Sequence, residues 1–140
     1  MRDNRLQRIK REDIYRTYKT GLENGCFSSF REAAKWVSQQ PAPRYYISER
    51  TASLLIGKMM RGEEPTNLRA SSRRMLCQLY SEFTNYIETH PQCDLTRERK
   101  RILSDLVERP APEFYTDAAG IRKIIRSENR RVRSTWENAK

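Results

Sequence analysis

The sequence is poor in the residues that build most catalytic and metal centres. It has one histidine, His90, and five glycines, none of them arranged in a phosphate-cradling loop. "HPQC" offers His90 and Cys93 as two metal ligands, but no second pair accompanies them and a tetrahedral site needs four, so neither a metal nor another cofactor is expected. The carboxylates are scattered among arginines, which reads as ion pairing along helix faces. No catalytic constellation emerges, and the expectation is a protein that is not an enzyme. The three cysteines, Cys26, Cys77 and Cys93, form no C-x-x-C pair. An odd count argues against a disulfide framework and for a reducing, cytoplasmic compartment. No apolar run approaches the roughly 20 residues needed to cross a bilayer, and the opening "MRDNRLQRIKRED" has no apolar signal core, so neither a membrane partner nor a secretion signal is expected.

What the chain has in excess is positive charge. Its 140 residues carry +10, and arginine supplies 21 of the 28 basic groups. Guanidinium forks pair with phosphates in a two-point geometry that ammonium cannot match. The charge gathers at the ends: residues 1–20 hold seven basic groups against three acidic, and residues 121–140 hold seven against two. Residues 75–96 have no lysine or arginine. This distribution points to a polyanionic partner, DNA more than RNA, and so to a nucleoid-associated or viral protein.

Apolar spacing predicts an all-α chain of about six helices. Ile14, Tyr18 and Leu22 give a stripe in a first helix over 3–23. Ser29 with Glu32 forms a capping-box pattern before a second, faced by Phe30, Ala33, Ala34 and Val37. Pro41 and Pro43 end that helix. Ser48 can cap a third over 49–61, with Ala52, Leu55, Ile56 and Met59 on one face. A long helix over 66–89 carries Leu68, Met75, Leu79, Phe83 and Tyr86. Cys77 reads as part of its apolar face, and the same stripe could serve a homodimer or a protein partner. A fifth helix covers about 95–108, with Ile102, Leu103, Leu106 and Val107 inward. The last starts near 118 after Thr116 or Asp117, with Ile121, Ile124 and Ile125 buried.

Two segments repeat. At an offset of 69, Pro41, Ala42, Pro43, Tyr45 and Tyr46 fall on Pro110, Ala111, Pro112, Phe114 and Tyr115. The stripes on either side keep the same register, Ala52 and Ile56 falling on Ile121 and Ile125. This predicts a tandem duplication of a three-helix unit, ordered helix, helix, PAP turn, helix. The expected division is 1–64, 65–130 and a basic tail over 131–140, with the end of the chain read as either a frayed tail or a continued solvated helix. Alternation along an extended turn puts Tyr45 and Phe114 inward, and Tyr46 and Tyr115 nearer the surface.

The third helix of each copy carries the candidate nucleic-acid contacts. Around the first lie Arg44, Arg50, Ser53, Lys58 and Arg61; along the second lie Arg122, Lys123, Arg126, Arg130, Arg131 and Arg133. A helix with an apolar stripe behind and arginines in front fits a DNA major groove. The segments "SSFREAAKWV", the PAP turn and "SERTASLLIGKMMR" loosely resemble helix-turn-helix DNA-binding domains. The resemblance implies a supporting helix followed by a recognition helix. Trp36, Trp136 and the tyrosines also offer rings on which RNA bases could stack.

Overall fold

The computed structural model describes residues 4–138, and it is all-α: α1 (Asn4–Glu23), α2 (Phe30–Ser38), α3 (Glu49–Met60), α4 (Ala70–Thr89), α5 (Leu95–Val107) and α6 (Ala118–Asn138). The caps follow the side chains. Ser29 Oγ accepts from the Glu32 amide at 3.2 Å, while the Glu32 carboxylate accepts from the Ser28 amide at 3.1 Å and from its hydroxyl at 2.8 Å. Ser48 Oγ accepts from the Thr51 amide at 3.1 Å, and Asp117 Oδ1 from the Gly120 amide at 2.7 Å. Ser29→Ala should therefore cost about 1 kcal/mol, read as a lower denaturation midpoint with unchanged slope.

Two boundaries and the burial of one side chain differ from expectation. α4 starts at Ala70, because Pro65 and the left-handed Asn67 (φ 62°) hold the preceding chain out of helix. α6 runs on to Asn138, so residues 131–138 continue the helix and do not form a separate tail. Cys77 is exposed: Leu76, Leu79 and Phe83 carry the buried stripe of α4, and Cys77 lies to its side.

The helices form two compact units, and their membership departs from the division at residue 64. The terminal unit comprises residues 1–42 and 112–140 and holds α1, α2 and α6; the central unit is the continuous stretch 43–111 with α3, α4 and α5. In the terminal unit α6 packs on both α1 and α2; in the central unit α3 packs on both α5 and α4. The chain passes from one unit to the other at Ala42–Pro43 and returns at Ala111–Pro112, positions 69 residues apart. The reason lies in the PAP segments. Proline has a fixed φ, lacks an amide donor and pushes the residue before it to extended backbone. Each segment is therefore extended at the point where the chain changes unit. The helices of the quoted helix-turn-helix segment, α2 and α3, consequently belong to different units.

The terminal core is built from Ile14, Ala33, Ala34, Val37, Phe114, Ile121 and Ile125, and the central core from Tyr45, Ile56, Leu76, Leu79, Phe83, Ile102 and Leu103. Tyr45 and Phe114 are buried as expected, and the Tyr45 amide donates to the Val107 carbonyl at 2.8 Å. Tyr46 is half-buried, but Tyr115 is buried too. Its left-handed backbone (φ 55°) breaks the alternation that would have turned its ring outward.

Candidate nucleic-acid interface

By residue count α6 is the most basic of the described helices, with six basic residues against two acidic. Its inner side is Ile121, Ile125 and Glu128. On the side away from these, Arg122, Lys123, Arg126, Arg130 and Arg133 fall within about 100° of the helix circumference. Arg122, Lys123, Arg130 and Arg133 make no ion pair with any described residue. The Arg126 guanidinium lies over the Phe30 ring of α2, its Cζ 5.2 Å from the centroid, while the side chain stays exposed. Twenty-one residues span about 30 Å at 1.5 Å per residue, long enough to follow several phosphates. The terminal unit has sixteen basic residues against nine acidic, a net +7; the central unit has twelve against nine, a net +3.

Arg131 belongs to a different group. Its Nε and Nη2 donate to Glu128 Oε2 at 3.0 and 2.8 Å, and Glu128 is only 6% exposed. The carboxylate beside it holds the guanidinium above its usual range. A carboxylate this buried requires a partner, so Arg131 is committed to the fold. One residue on, Asn129 Oδ1 accepts from the Tyr15 hydroxyl at 2.8 Å, tying α1 to α6.

The expected contacts on the first PAP turn and α3 are in the central unit and are weaker candidates. Arg44 Nε donates to the Tyr45 carbonyl at 3.0 Å. Ser53 Oγ accepts from Arg99 Nε at 3.4 Å, and the Arg99 guanidinium lies against Gly57, where a Cβ would come within 3.2 Å of it. Arg61 pairs with Glu63 at 3.2 Å. Arg50 is exposed and Lys58 half-exposed, but between them stands Leu54, 58% exposed. At the positions equivalent to Arg122, Lys123, Arg126, Arg130 and Arg133, α3 and the turn after it carry Ser53, Leu54, Gly57, Arg61 and Glu64. A basic sector therefore exists on α6 and not on α3.

The terminal unit also holds a row of aromatic rings that stripe counting did not assemble. Tyr15 and Tyr18 of α1 have centroids 6.0 Å apart; Phe27, in the connection to α2, stacks on Tyr18 at 5.8 Å and 11°; Trp36 of α2 tilts against Phe27 at 5.8 Å. All four rings are half-buried. The seat of the row is Gly21, where a Cβ would lie 2.5 Å from Trp36 Cζ3 and 2.8 Å from Phe27 Cε1. Gly21→Ala should displace both rings and cost about 1–3 kcal/mol, checked by denaturation and by the Trp36 emission maximum. The signal available beforehand was five aromatics, the four of the row and Phe30, with one helical glycine within 22 residues, at 15–36.

The two members of "HPQC" have different partners. His90 stacks on Tyr86 at 4.0 Å and its Nδ1 lies 2.9 Å from the Tyr86 carbonyl, whereas the Cys93 thiol donates to Glu98 Oε2 at 2.8 Å. That bond pushes the thiol's pKa up and holds the Glu98 carboxyl below its usual range, helped by Arg101 at 3.0 Å and the Asp94 amide. A carboxyl depressed in the folded state adds stability above its unfolded pKa, and that contribution is lost as pH falls through the folded value. Glu98→Gln should flatten this acid-side loss in a stability-against-pH series. Among the described residues, no group of three or more His, Cys, Asp or Glu could hold a metal ion, and no helix is long and apolar enough to cross a membrane. Comparison of the chain with protein-family models, curated proteins and solved structures finds no match.

Proposed function

We propose that this protein binds nucleic acid, with the outward face of α6 in the terminal unit holding phosphates. The observation that carries the reading is the sector of Arg122, Lys123, Arg126, Arg130 and Arg133, four of which have no ion-pair partner among the described residues. Unpaired guanidinium groups on one side of a rigid helix are preorganised for a row of anions, because no internal pair must break before they bind. Binding would release counterions, so affinity should fall steeply with salt. The test is titration of mixed-sequence duplex and single strands at several salt concentrations. Binding with a linear log–log salt dependence supports the reading; no binding at low salt, or binding indifferent to salt, overturns it. The alternative of docking through the long fourth helix has a smaller surface to offer: Leu76, Leu79 and Phe83 are buried, while Met75, Tyr80, Tyr86 and Ile87 are half-exposed.

A further inference from the structure

We propose that the row Tyr15, Tyr18, Phe27 and Trp36 stacks the bases of a single-stranded nucleic acid whose phosphates lie along the basic sector of α6. This rests on the phosphate-binding reading of α6 and names the form of nucleic acid that the same unit selects.

Three observations support it. The row begins at α6: the Tyr15 hydroxyl donates to Asn129, which on the helix lies between Arg126 and Arg133 and next to Arg130. A strand held by those arginines therefore passes the first ring. The rings are also rigidly seated, with Trp36 and Phe27 against the Gly21 backbone and each ring braced by the next. A base that stacks there need not order a mobile side chain. Finally, all four rings are half-buried and keep part of their surface open, and such a surface can stack only a base whose own face is free. Such faces are found in an unpaired strand, whose bases stack on aromatic side chains without regard to sequence. In a duplex those faces are covered.

The experiment uses the full chain with Trp136→Phe, so that Trp36 is the only tryptophan. Short oligothymidylate, oligouridylate and a duplex of equal length are titrated at low salt, following Trp36 emission and, separately, the anisotropy of a labelled strand. Either single strand should quench Trp36 while the duplex binds without quenching; the stronger of the two identifies DNA or RNA. Trp36→Ala, made in the native chain and read by anisotropy, should weaken single-strand binding about tenfold and leave duplex binding within twofold. Salt-dependent binding of single strands with unchanged Trp36 emission would overturn the stacking proposal and leave the α6 reading standing. Failure of every polymer to bind would remove both. Quenching needs no change in the ring row, so it decides the matter even where Trp36→Ala fails to fold.

Discussion

Replacing Arg122, Arg130 and Arg133 together with glutamine should weaken nucleic-acid binding about a hundredfold at low salt and flatten its salt dependence. Each guanidinium lost from a phosphate removes a charge-assisted contact of at least about 1 kcal/mol, and three such losses amount to about two decades. The slope of log affinity against log salt should shrink by about 0.7–0.9 per contact, or roughly two in all. The substitutions cost the helix little, since glutamine and arginine have similar helix propensities and none of the three makes an ion pair with a described residue. Circular dichroism and melting temperature should stay near those of the parent. Arg131→Gln is the informative contrast: it strands the buried Glu128 carboxylate, so it should lower stability while leaving the salt slope almost intact. A triple variant that binds like the parent would mean that phosphates are held elsewhere.

Phe114→Ala should remove about 3–5 kcal/mol from the stability of the terminal unit. The ring is 1% exposed and among the largest fully buried side chains. Its deletion leaves a cavity that rigid neighbours fill only in part, so the cost combines lost transfer energy with lost contacts. Trp36 belongs to the same unit, so its fluorescence in a urea series reads the loss there, and nucleic-acid binding through α6 should weaken as that unit opens. Arg109→Ala, on the exposed side of the same connection, should stay within about 0.5 kcal/mol of the parent. A loss below 1 kcal/mol for Phe114→Ala would contradict the burial of this ring.

Much of the helical architecture was readable from residue spacing. Ser29, Ser48 and Asp117 cap the helices they precede, and Ala52/Ile56, Ile121/Ile125 and Leu79/Phe83 face inward as their periods require. Membership of the two units was not readable, for a physical reason. The stripes of α3 and α6 share one register, so either could cover α1 and α2 or α4 and α5; the direction taken by the proline segments chooses, and no local period encodes that. The arginine sector of α6 was visible as i, i+3 and i+4 steps. The separate role of Arg131 was not, because Glu128 three residues earlier resembles an ordinary surface partner until packing against the rest of the unit buries it. The four-ring row was hidden because its members come from α1, α2 and the connection between them, and only tertiary contact at Gly21 brings them together.

The passage at Ala42–Pro43 and the return at Ala111–Pro112 also set an order in time. A chain leaving the ribosome has every helix of the central unit in hand once α5 has emerged, but α1 and α2 must wait for α6. Until then the Ala33, Ala34 and Val37 face of α2 has no α6 to cover it, and closing the terminal unit means joining ends separated by residues 43–111. The central unit is thus free to fold first and can hold those ends within reach. A message cut short before residue 118 would yield a product with one finished unit and an uncovered pair of helices, the kind of surface that chaperones and proteases recognise.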